Sequence, residues 1–276
     1  MKDKINIIYS IIQTLKYEND FSIIQFENIK NISITEMEEL GYLGKVTPSE
    51  INNQLVFDVI IHKIIIENLL SDNDDKIEYA TSIIKHELFH IKEMVITNRK
   101  IPIMPIFNIV RNSTYSMLIH LGYIQWSEYY AHYNSYKYYQ EQFSINKQIE
   151  QAEISLTILK DTIIKEHSAQ LYEFMYNNIE SFIARAIIIS AHYNYEHDKK
   201  CLTHLIRYRN SKLYKPFYDY IYELIPYMES LYNTYPNWVD ESHFFDIGKH
   251  LFSIIHAFGI TFSTDDLSDN FVFKLL

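Results

Sequence analysis

Hydrophobic positions change period along this chain, and the changes mark its elements. Residues 5–16 repeat at helical spacing and predict a first amphipathic helix. Residues 20–34 alternate, and Phe21-Ser22-Ile23-Ile24-Gln25-Phe26 reads as a strand within them. The stretch from Thr35 to Glu50 is polar, carries Gly41, Gly44 and Pro48, and reads as turns around short elements. From Leu55 to Ile66 the chain is rich in β-branched residues with apolar side chains on both faces, which predicts a covered strand. Ser71 to Asp75 is a turn and an acidic helix start, with Asp75 and Glu78 at capping-box spacing. Ile77, Ala80, Ile84, Leu88, Ile91 and Val95 then mark one buried face of a helix. Arg99 and Lys100 suit its C-terminus, and Pro102 and Pro105 end it.

Residues 114–142 are rich in Tyr and predict one or two helices, with Gly122 as the break between them. Ile149, Ala152, Leu156, Leu159 and Ile163 mark another helix, and helical spacing continues around 170–195, 202–233 and 240–258. Pro216, Pro226 and Pro236 kink or bound these helices. The pattern predicts a mostly helical α+β chain. Residues 1–145 form one domain with a small sheet and a long helix, and residues 146–276 form an all-α domain.

Composition narrows the class. Hydrophobic residues make up 47% and charged residues 22%, as in globular proteins. Five glycines and six prolines are few for 276 residues, which favours long helices over a many-stranded sheet. A net charge of −10 without a dense Lys/Arg cluster argues against a nucleic-acid partner. Cys201 is the only cysteine, so there is neither an intrachain disulfide nor an all-thiolate metal site. No segment approaches the roughly 18 continuous apolar residues that a membrane span needs. The N-terminal apolar run is broken by polar residues and lacks a small-residue cleavage site, so it reads as a helix and not a signal peptide. The expected compartment is the cytoplasm, with no membrane partner.

One constellation carries chemistry. His86-Glu87-Leu88-Phe89-His90 places two imidazoles four residues apart, one turn apart on one helix face. Two such groups can bind one Zn²⁺ from the same side, and Glu87 beside them can take a proton from a metal-bound water. The histidines are rotated away from the apolar stripe through 80, 84, 88 and 91. A catalytic zinc needs a third protein ligand and an open position. Trp126-Ser127-Glu128-Tyr129-Tyr130-Ala131-His132 offers Glu128, with His132 as its rival. The small Ala131 would let that helix approach closely. His62, His120, His167, His192, His197, His204, His243, His250 and His256 read as core or surface filling.

A strand, a helix bearing H-E-x-x-H and a downstream helix bearing Glu resemble the zincin metallopeptidases, and among them the gluzincins. The layout is also similar to the intracellular peptidases of the ImmA/IrrE type. The resemblance covers roughly residues 50 to 140. It implies a zincin-like N-terminal part, Zn²⁺ held by His86, His90 and Glu128, and Glu87 as general base for hydrolysis of a protein or peptide substrate. It also implies that the strand at 55–66 runs along the cleft and pairs with that substrate. Gluzincins of the thermolysin type have Asp four residues after the ligand Glu, where this chain has His132. The extended metzincin pattern is absent, since Ile91-Lys92-Glu93-Met94-Val95-Ile96 follows His90. Two other readings remain. One is a non-hydrolytic interaction protein that keeps the scaffold and works through its helical half. The other is a di-iron bundle using Glu87-x-x-His90, which needs a second E-x-x-H on another helix. Glu128 and His132 stand at a spacing of four and do not provide it.

Overall fold

The computed structural model describes residues 2–15, 17–36, 43–108, 114–138, 148–152, 154–155, 157–158, 169–197, 215–254, 260–262 and 273–275. The chain forms two compact units, Met1–Met104 with Asn134–Gln142, and Pro105–Tyr133 with Phe143–Leu276. The boundary expected near residue 145 lies outside the described residues.

The first unit sets helices on a three-stranded sheet. Helix α1 (Lys2–Leu15) packs on strand β1 (Ile29–Thr35) and buries Ile8, Ile12 and Leu15, one stripe at i, i+4 and i+7. Strands β2 (Gly44–Ile51) and β3 (Gln54–His62) form a hairpin around Asn52 and Asn53. Both asparagines have positive φ, 51° and 60°, as a tight hairpin turn demands and as Asn tolerates better than most residues. The sheet order is β1-β3-β2, with β3 parallel to β1 and antiparallel to β2.

Four expectations change here. The strand expected at 21–26 is a pair of 3₁₀ turns, Asn19–Phe21 and Phe26–Asn28, and the strand follows at 29–35. Phe21 and Ile24 are both buried three residues apart, a turn spacing, and Ile24 N–H bonds Phe21 O at 3.0 Å. Part of the polar stretch before Glu50 is strand β2, disguised by Gly44 and Pro48. His62 N–H donates to Leu43 O, so β2 bonds inward at odd-numbered residues. Pro48, which has no N–H to give, falls on an outward position of this edge strand. The apolar run from 55 divides at His62, whose Nδ1 caps helix α2 (Lys63–Leu69) by accepting from Ile64 N–H. Ile65 and Ile66 are buried in that helix, where packing overrides their strand preference. Finally, β3 is the central strand, bonded on both sides, so it has no free edge for a substrate. Among the described residues β1 and β2 are the two edge strands of this sheet, each paired with β3 alone.

Helix α3 (Asp74–Asn98) carries the histidines and packs on α2, β2 and β3. Asn73 is its cap, accepting from Lys76 N–H at 3.1 Å, in place of the expected Asp75 box. Of its expected apolar stripe Ala80, Ile84, Leu88 and Ile91 are buried while Ile77 and Val95 at the ends are only half-buried, and Ile83, Glu87, His90 and Met94 on other faces are buried too. Phe89 packs against Phe21, with ring centroids 4.9 Å apart and planes tilted by 50°.

The second unit is mostly helical. After the short helix α4 (Ile103–Phe107) come α5 (Thr114–Ser135), α6 (Ala169–Glu196), α7 (Lys215–Thr234) and α8 (Ser242–Phe252), with residues 148–152 helical as well. The first two residues of α4 and the last two of α5 belong to the first unit. Helix α6 packs on α7 and α8. Gly122 does not break α5. It is where α8 crosses: a Cβ there would lie 1.9 Å from Phe244 O, and one on Gly248 would lie 2.0 Å from Leu118 O. Two glycines let two backbones touch. The unit is not purely helical, because β4 (Ile260–Phe262) pairs antiparallel with β5 (Phe273–Leu275). Among the described residues no helix is long and apolar enough to cross a membrane.

Candidate metal centre

In the first unit, α3 brings His86 and His90 together. Their Nε2 atoms lie 3.1 Å apart, with ring planes at 83°. Two nitrogens each about 2.0–2.1 Å from a tetrahedral zinc would be separated by about 3.3–3.4 Å. The 3.1 Å separation is a hydrogen-bond distance between the two rings and lies a little below that spacing. The other ring nitrogen of His86, Nδ1, lies 3.3 Å from Ser135 Oγ. Ser135 is buried at the end of α5, and the 3₁₀ turn Tyr136–Tyr138 follows it.

Glu87 follows His86 on the same helix. Its side chain lies against the first residue of β2: a Cβ on Gly44 would come within 2.5 Å of Oε1 and 2.6 Å of Cγ. The carboxylate thus sits beside the edge strand, in a place only glycine leaves open. It is 6% exposed, and His90 is 8% exposed. Glu93 extends the stripe of His86 and His90 by another turn and is fully buried, accepting from Thr97 Oγ1 at 2.5 Å. The sequence signal for Glu93 was its place three residues after His90.

The 3₁₀ turn after Ser135 is fastened to the start of the chain. Tyr138 OH donates to Asp20 Oδ2 at 2.6 Å, and Lys137 Nζ reaches the same oxygen at 2.5 Å. Lys85, the neighbour of His86, binds Glu18 at 3.0 Å and lies 3.6 Å from the centre of the Tyr138 ring. Burial works to raise the Asp20 carboxyl. The hydrogen bonds from Lys137 and Tyr138, with the charges of Lys137 and Lys92, outweigh it and hold the group below its ordinary value.

In the second unit, Glu128 and His132 share one face of α5, with Oε2 and Nε2 3.7 Å apart. Glu128 is half-exposed, while His132 is buried against His192, ring centroids 5.8 Å apart. His192, which reads as filling in the sequence, thus belongs to this group. Around it, Tyr129 OH accepts from Asn194 Nδ2 at 2.8 Å. Trp126 lies within a cluster with Tyr129, Tyr130, Tyr232, Tyr235 and Trp238. No family model matches this chain, and no curated protein or solved structure is significantly similar to it.

Proposed function

We propose that this chain is a zinc-dependent peptidase of zincin type, with His86 and His90 as ligands through Nε2 and Glu128 as the third. The observation that carries this reading is the 3.1 Å convergence of the two Nε2 atoms within an H-E-x-x-H sequence. The resemblance to the gluzincins supplies the third ligand, Glu128 on α5, and His132, one turn further along the same face, is its rival.

When bound, zinc supplies a Lewis acid that polarises a carbonyl and acidifies water. Glu87 takes a proton from the attacking water at a carboxylate oxygen and the water oxygen bonds to the peptide carbonyl carbon. As the C–N bond breaks, Glu87 returns the proton to the leaving amine. The outward backbone groups of Gly44 and Val46 on β2 receive the extended peptide beside Glu87, while Pro48 offers no donor further along. The substrate is a protein or peptide in the cytoplasm, and a net charge of −10 without a dense Lys/Arg cluster argues against nucleic acid.

Glu87→Gln tests the mechanism, because an amide cannot accept the proton. It should keep zinc and fold and lower release of free amines from a peptide mixture by ~10²–10⁴-fold. Loss of zinc in this variant would make Glu87 a ligand and overturn the assignment. The burial of Glu87 and His90 favours a second reading, a non-hydrolytic interaction protein with a structural zinc. It predicts zinc in the wild type but no hydrolysis for Glu87→Gln to remove.

A further inference from the structure

We propose that Ser135 is the positioning residue of the histidine pair: its Oγ accepts the Nδ1 proton of His86 and so turns the Nε2 lone pair of that ring toward His90. The inference rests on the zinc reading and adds to it a residue outside the H-E-x-x-H segment.

A neutral imidazole carries one proton, on either nitrogen. A metal-ligating histidine needs its free lone pair at the ligating nitrogen, and a hydrogen bond at the other nitrogen sets which one that is. For His86 the ligating atom is Nε2, which lies 3.1 Å from His90 Nε2. The remaining atom, Nδ1, meets Ser135 Oγ at 3.3 Å. The serine is buried, so bulk water competes little for that proton.

The contact is braced on both sides. One residue before His86, Lys85 binds Glu18. Three residues after Ser135, the Tyr138 hydroxyl donates to Asp20 and lies 3.3 Å from Glu18 Oε2. Glu18 thus joins α3 to the turn that follows Ser135, and Lys85 covers the Tyr138 ring. Two segments 49 residues apart in sequence are held in register next to the hydrogen bond. A serine that only filled space would need no such bracing.

The test compares wild type, Ser135→Ala and Ser135→Thr, each checked for fold by circular dichroism. In zinc-free protein, long-range proton–nitrogen NMR of labelled histidine reads the His86 tautomer. Zinc affinity is read by competition with a chelator. Wild type and Ser135→Thr should show His86 protonated at Nδ1. Ser135→Ala should show a mixture and bind zinc about 10–100-fold more weakly. If Ser135→Ala keeps the tautomer and the affinity while His86→Ala loses zinc, the proposal falls and the zinc reading stands. If wild type takes up no zinc, both fall.

Discussion

Helices α3 and α5 are similar in length, 25 and 22 residues, and both are buried along most of their course, yet they bury different chemistry. Helix α3 takes Lys85, Glu87, His90, Glu93 and Thr97 inside. Burying carboxylates and imidazoles costs several kcal/mol each unless they are paired. Helix α3 meets that cost locally, with Thr97 on Glu93, Glu18 on Lys85 and His86 on His90. Helix α5 also buries His120, Gln125, Ser127 and His132, but no carboxylate or lysine, and it adds aromatic rings, with Trp126, Tyr129 and Tyr130 packed among Tyr232, Tyr235 and Trp238. Burial raises the Tyr129 phenol well above its ordinary value, with Asn194 opposing the shift, so the ring stays neutral and acts as packing with a polar tip. The lesson is that burial alone does not mark a site. Buried carboxylates beside paired imidazoles on one helix are what motivate the metal proposal for α3.

The strongest way to break the comparison is on the packing side. Gly122→Ala places a Cβ where the backbone of α8 already lies, and backbone cannot swing aside. It should cost about 3 kcal/mol or more. That lowers the melting temperature by roughly 6–12 °C. Thermal unfolding that matches wild type would remove the close crossing from the account. Gly44→Ala strikes the chemical side. The atoms nearest its Cβ all belong to the flexible Glu87 side chain, so the carboxylate should be displaced while the fold holds. Peptide hydrolysis should fall by about 10²-fold, while the stability cost stays within about 1–3 kcal/mol. Undiminished hydrolysis in Gly44→Ala would mean that the position of Glu87 against β2 does not matter.

Asp20→Asn sharpens the comparison with the smallest effect. The folded-state carboxyl is held below its ordinary value, so its ionised form contributes stability above that value. The contribution disappears as pH falls through the depressed folded value. Asp20→Asn should therefore be less stable than wild type at neutral pH, and the difference should shrink as the solution is acidified. A difference in urea midpoint that is unchanged down to the acid limb would contradict the ionic lock on the turn after Ser135.

Much of α3 was legible in the sequence because its signals are local. Residue spacing within one helix predicts the apolar stripe through Ala80, Ile84, Leu88 and Ile91, and the proximity of His86 and His90. What escaped depends on distant segments. Strand β2 hid behind Gly44 and Pro48, and the reasons for both residues lie in Glu87 and in the open edge. Ser135 carries no motif, and only the packing of Tyr138 on Lys85 shows why it stands beside His86. Gly122 read as a helix break because a lone glycine has the same local signature whether it ends a helix or admits a crossing backbone. In α5 the Tyr-rich sequence shows no clear apolar face, so it did not reveal that His132 turns toward His192.

The central claim is that His86 and His90 hold a metal. Elemental analysis of protein purified without added metal tests it most directly, with wild type compared against the His86→Ala/His90→Ala double variant at equal fold by circular dichroism. About one zinc per chain in wild type and almost none in the double variant is the predicted result. A double variant that keeps the full zinc content of wild type would contradict it.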